Sequence, residues 1–165
     1  MIYNTLNNID SVIGFDEVSA HCDIPCKIYD PTNAMHAALS SVRMIDLMEE
    51  LHAKNDTSLQ AMNTMSRYVA EKENQASICK KEIRIIWGDF YKEPQFTKYP
   101  HLHELTHSIM MAASKVKQEP SRAAGEKLVS LLNDFSEIFW EIKGVKTKKA
   151  VCPYPPSLEV VYPEL

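Results

Sequence analysis

No apolar run in this 165-residue chain approaches the length that crosses a bilayer, so no membrane role is expected. Charge of one sign is scarcely in excess: 18 Lys and Arg face 22 Asp and Glu, a formal net charge of −4. That balance gives no electrostatic reason to expect a nucleic-acid partner. Basic residues are missing from positions 1–20, which hold Asp10, Asp16 and Glu17 instead. Val18-Ser19-Ala20 mimics the small-residue end of a secretory signal, yet the longest apolar stretch before it, Val12 to Phe15, has only four residues. A secretory signal needs a basic start and a longer apolar centre. Residues 1–20 therefore read as a pro-segment removed in the cytoplasm. Cysteine is sparse, with Cys22, Cys26, Cys79 and Cys152 only, and without a secretion signal these argue against a disulfide framework. Convincing strand alternation, internal repeats and low-complexity tracts are also lacking.

What is present is helical periodicity. The length suits one ordinary domain, which would bury roughly two-thirds of its unfolded surface. Asp30-Pro31 reads as a helix start, with an Asp cap and Pro in the first turn. Met35, Ala38, Val42, Ile45 and Met48 then form one stripe, ending near Lys54. Asn55 to Ser58 is a turn and cap. A long seam follows through Met62, Met65, Val69, Lys72, Ala76, Cys79, Ile83, Ile86 and Phe90, broken only by Lys72. Lys92 to Tyr99 reads as a loop. Leu102, Leu105, Ile109, Ala112 and Val116 stripe a third helix. After the break at Glu119-Pro120-Ser121, Leu128, Leu131, Phe135, Ile138 and Ile142 stripe a fourth, stopped by Gly144. The fold class is therefore all-α, an antiparallel up-down four-helix bundle over residues 21–144. Residues 145–165 differ in kind. Their four prolines forbid a helix and favour an extended C-terminal tail, read as an arm packed on a neighbouring subunit.

The chemistry concentrates in His21-Cys22-Asp23-Ile24-Pro25-Cys26, directly after the removable segment. A cut between Ala20 and His21 gives His21 a free α-amine. Residues 21 and 22 then offer an amine, an amide nitrogen, an imidazole and a thiolate, and Cys26 offers a second thiolate. Successive donors along the backbone close small chelate rings and favour a planar N,S set, which points to nickel or copper. A Cys-x3-Cys pair alone is weak evidence, for which chance or zinc is the better reading. A radical-SAM cluster is excluded here, because Tyr29 stands where its third cysteine belongs.

The run HCDIPCKIYDP, from His21 to Pro31, closely resembles the amino-terminal nickel hook of nickel-containing superoxide dismutases. Trp87 to Lys92, with Pro94, Phe96, Lys98 to Pro100, Leu102 and His103, resembles that family's middle signature, and Phe139-Trp140-Glu141 its closing helix. The resemblance implies conversion of two superoxide anions to O2 and H2O2 through a Ni(III)/Ni(II) couple, with one nickel ion per subunit. His21 would supply its amine and an axial imidazole, Cys22 its amide and thiolate, and Cys26 the second thiolate. Anionic thiolates and an ionised amide would lower the metal's potential into the useful range. Pro25 would fix the turn that returns Cys26 through a cis bond, and Asp23 would brace the loop. Tyr29 resembles the family's gate tyrosine, serving access and proton supply, with Tyr91 and Lys92 lesser residues on the approach. The resemblance also implies a cytoplasmic homohexamer and a dedicated maturation peptidase cutting between Ala20 and His21. Members carry a glutamate early in the first helix and an arginine on the second that orient the hook histidine. Ala37 and Gln75 stand there instead, leaving His36, Ser40, Gln75 and Arg67 as substitutes.

Two other readings stand beside this one. A bundle that kept the hook without its supporting residues would be a noncatalytic nickel-binding protein. His103-Glu104-Leu105-Thr106-His107 matches the H-E-x-x-H zinc-peptidase pattern, with Glu126 as a distant third ligand. Metzincin continuation needs Gly at 110 and His at 113, where Met110 and Ala113 stand, and the pattern is read as coincidence. Cys79, on the apolar seam, reads as a core thiol, and Cys152, in the tail, as an exposed one.

Overall fold

The computed structural model describes residues 27–165. Helix α1 (Thr32–His52) opens where Asp30 Oδ1 accepts the Thr32 N–H at 2.7 Å. Helix α2 (Leu59–Ile85) opens where Ser58 Oγ accepts from Ala61 N at 3.2 Å. It passes directly into a π-helical turn (Ile86–Phe90), closed by Tyr91 N donating to Ile86 O at 3.3 Å. The segment expected as a loop after Lys92 holds a short helix, α3 (Glu93–Lys98), because Pro94 sits in its first turn, where no N–H is needed. Helices α4 (Leu102–Gln118) and α5 (Arg122–Ile142) complete the set, and Gly144, at φ 73°, turns the chain out of α5 in a left-handed conformation.

Helix α1 packs on α2, α2 on α4, α4 on α5, and α5 back on α1, closing the antiparallel bundle. The expected stripes supply its core: Val42, Ile45, Ile83, Leu102, Ile109, Val116, Leu128 and Phe135 are fully or almost fully buried. Helix α1 approaches α5 so closely at Gly125 that a Cβ there would lie 2.6 Å from Val42 Cγ2. The α2 stripe is buried only in part. Leu59 and Met62 are exposed, because 27 residues of α2 run about 40 Å while the 17 of α4 run about 26 Å.

Lys72, the one break in the α2 seam, is 3% exposed. Its ammonium donates to Val116 O at 2.7 Å and Lys117 O at 2.6 Å, closing the C-terminus of α4. Burial pulls its pKa down, and the Glu73 carboxylate opposes that shift. Lys72→Ala is expected to lose about 2–3 kcal/mol of stability, since charged hydrogen bonds vanish and two carbonyls lose their donor. Chemical denaturation measures this, and an unchanged midpoint would remove Lys72 from the list of stabilising residues.

The tail departs from expectation. It forms an antiparallel hairpin of β1 (Thr147–Val151) and β2 (Glu159–Pro163), with Lys149 opposite Val161. The arm expected to lie on a neighbouring subunit folds instead onto α5 of its own bundle. Asn133 fixes it: its Nδ2 donates to Glu159 O and its Oδ1 accepts from Val161 N, both at 2.9 Å. Val160 and Val161 are buried, and so is Cys152, whose thiol donates to Tyr154 O at 3.2 Å. The expectation of an exposed Cys152 is therefore corrected. The prolines left the segment extended, and β-branched valines gave it an apolar side to bury.

Candidate metal centre and its approach face

His21, Cys22, Asp23, Pro25 and Cys26 lie outside the described residues, as does the pro-segment 1–20. The described chain begins at Lys27, directly after Cys26, and its first aromatic residue is Tyr29. The half-buried Tyr29 ring stands 5.5 Å from Phe90, tilted at 48°. Phe90 in turn lies 4.9 Å from Phe139 of α5 and 5.1 Å from Tyr91. The π-helical turn brings this about. One extra residue in the turn aims Phe90 at Tyr29 and Phe139 while Tyr91 enters the core. Two residues after Tyr29, Pro31 is fully buried, and it shares a small cleft with Val160 and Tyr162 of the hairpin.

Tyr91 does not serve the approach: it is 1% exposed, between Phe96 at 6.2 Å and Phe135 at 5.5 Å, and burial raises its pKa. The side chain beside Phe90 that sequence reasoning missed is Lys143. Its Nζ sits 4.8 Å from the Phe90 centroid and 5.8 Å from that of Phe139. No spacing rule reports it, because Lys143 belongs to the end of α5 and Phe90 to the π-helical turn.

The residues weighed as replacements near the hook histidine are differently placed. Ala37 is buried in the core, His36 is exposed, with its ring 6.2 Å from that of Tyr154, and Gln75 Nε2 donates to Glu71 Oε1 at 2.7 Å. Arg67 is exposed on α2, about 27 Å along the axis from Ile85.

His103 and His107 do not form a zinc site. His103 Nδ1 accepts the Trp87 Nε1 proton at 3.0 Å, and its ring stacks on Phe96 at 4.1 Å and 10°. Glu126 Oε1 accepts from Arg122 Nε at 2.9 Å, so the distant third ligand is engaged elsewhere. Among the described residues no group of three or more His, Cys, Asp or Glu is placed to hold a metal. Cys79 is a core thiol as expected, and burial pushes its pKa up to about 12. Cys79 and Cys152 are buried singly; Cys22, Cys26 and the nitrogens of His21 would together be a donor set whose chemistry fits nickel.

Residues 16–143 match the family model of the nickel-containing superoxide dismutases. The chain belongs to that family. The nickel superoxide dismutase of Streptomyces coelicolor is 36% identical over 126 residues, covering 76% of this chain and 90% of that protein. The Streptomyces seoulensis enzyme is also 36% identical, over 127 residues, covering 77% and 91%. A native nickel superoxide dismutase structure superposes with a TM-score of 0.66 at 32% identity, over 75% of this chain and 99% of that one. Nickel is thus the cofactor and superoxide dismutation the activity, an oxidoreductase reaction. The family match ends at residue 143, so the C-terminal hairpin lies beyond it.

Proposed function

We propose that the active enzyme starts at His21 and holds nickel through His21, Cys22 and Cys26. The support is the donor set itself, joined without a gap to a Tyr29 that the fold seats on Phe90. Nickel supplies the one-electron couple that superoxide dismutation needs. The His21 amine and imidazole, the Cys22 amide and thiolate, and the Cys26 thiolate bind it. Pro25 directs the chain back toward the metal, and Asp23 steadies the loop by hydrogen bonding. Tyr29 orders water or substrate at the open face and brings a hydroxyl proton within reach of it. The overall reaction consumes two protons, 2 O2•− + 2 H+ → O2 + H2O2, so an ordered proton source is a functional part.

The same reading assigns residues 1–20 to a pro-segment removed by a peptidase between Ala20 and His21 in the cytoplasm. It also assigns the mature chain to the homohexamer that the family resemblance implies; a short hook that gains rigidity when buried against a neighbour is a physical reason to assemble. Intact mass, metal content and superoxide turnover, measured on protein from a nickel-supplied, peptidase-competent host, test the assignment together. A chain starting at His21 with one nickel per subunit and fast turnover is expected. Cleaved, nickel-loaded protein without turnover would instead make this chain a nickel-binding bundle.

A further inference from the structure

The substrate is a small anion, and the residues around Tyr29 and Phe90 include two cations, Lys27 and Lys143, beside the carboxylates of Asp30 and Asp89. Lys143 Nζ lies 4.8 Å from the Phe90 centroid, and Phe90 lies 5.5 Å from Tyr29, so the ammonium is within about 10 Å of the Tyr29 ring. That is inside or near one screening length at physiological salt, where an exposed charge still acts. Among the described residues Lys143 has no carboxylate within ion-pair distance. The acids close to it in sequence are engaged elsewhere: Glu141 pairs with Lys98 at 2.9 Å, and Glu137 with Lys149 at 3.0 Å. Lys27, exposed two residues before Tyr29, adds a second cation, partly offset by the exposed Asp30, whose Oδ1 accepts the Thr32 N–H and which keeps its charge. Two aromatic rings hold the Lys143 head in place without neutralising it, since the ring faces attract a cation but carry no net charge.

We propose that Lys143 is the steering residue of this enzyme: seated over Phe90 and Phe139, it draws the superoxide anion to the Tyr29 face. The proposal rests on the assignment of Tyr29 to the open face of the nickel site. Lys143 transfers no proton and touches no reacting atom. It raises the local concentration of a small monoanion, as a like-placed charge does at any steered encounter. Its effect is therefore on kcat/KM, is greatest at low ionic strength, and fades as salt screens it.

The test has two arms. The first follows kcat/KM for superoxide against ionic strength in the nickel-loaded mature enzyme. One unit charge at about 10 Å in water changes the encounter rate about twofold. Lys143→Gln is expected to lose about that factor at low salt and to converge with the parent at high salt, Lys143→Glu to lose about fourfold, and Lys143→Arg to match the parent. The second arm titrates azide, a small monoanion, into nickel-free protein and follows the Tyr29 and Phe90 ring resonances by NMR. Azide-dependent shifts are expected in the parent and in Lys143→Arg, and weaker ones in Lys143→Gln. Salt profiles of parent and Lys143→Gln that run parallel would overturn the proposal, as would equal azide responses. Lys143-dependent azide shifts in a protein without turnover would keep the anion site while removing the role assigned to the hook and Tyr29.

Discussion

A chain that keeps Ala20 ahead of His21 is expected to fold into the same bundle yet show superoxide turnover no faster than buffer. Acylating the His21 nitrogen converts an amine donor into an amide. An amide binds a metal only after losing its proton, so the first chelate ring is lost or formed at much greater cost. The two thiolates and the imidazole remain, a set that no longer selects a tetragonal nitrogen-sulfur site over a tetrahedral one. The bundle does not depend on that nitrogen, since its core is built from α1, α2, α4 and α5, beginning at Ala34. Thermal unfolding should therefore match the parent, while nickel content and turnover collapse together. Cys22→Ser and Cys26→Ser are expected to behave alike. An uncleaved chain with full activity would sink the proposed amine ligation.

Phe139→Ala is expected to be the most damaging single change outside the hook, by about 3–5 kcal/mol. Phe139 is fully buried on α5, 4.9 Å from Phe90 and 5.1 Å from Trp140, with the Lys143 ammonium over its ring. Removing it opens a cavity that stiff neighbours on α5 cannot close, because close-packed interiors relax only in part. The melting temperature should fall on the order of 10 °C. The change also removes the ring that backs Phe90, so Tyr29 loses its rigid seat and Lys143 one of its two platforms. Activity per folded, nickel-loaded molecule should therefore fall as well. Phe139→Leu is expected to recover most of the stability by refilling the volume. Measuring melting and turnover on both variants separates packing from positioning. A Phe139→Ala protein that melts with the parent would show that the site collapses freely.

The bundle was readable in the chain because each helix carries its own period. The stripes through Val42, Ile83, Ile109 and Phe135 are local patterns, and burying them leaves few arrangements. Starts were equally local: Ser58 caps α2 as its position implied, while Asp30 accepts the Thr32 N–H from one residue ahead of the α1 cap position, which Pro31 occupies. The proposed hook rests on the same kind of local pattern, since chelation by adjacent residues is a property of the backbone over a few positions. Where donors and partners are distant in sequence, the reading stopped. Lys72 looked like a flaw in a seam, and its reason lay 44 and 45 residues away, at the carbonyls of Val116 and Lys117. The H-E-x-x-H pattern looked like chemistry, and the indole of Trp87 and the ring of Phe96 took its first histidine.

The sequence by itself determined the helical class, the four long helices and the family, because each is written in contiguous residues. Tertiary structure alone decided that the proline-rich tail is a hairpin held by Asn133, that Cys152 is buried, and that Phe90 rather than Tyr91 meets Tyr29. It alone placed Lys143 beside that pair. These outcomes depend on which faces meet after the helices pack, a balance of burial and hydrogen bonding that no short stretch of chain contains.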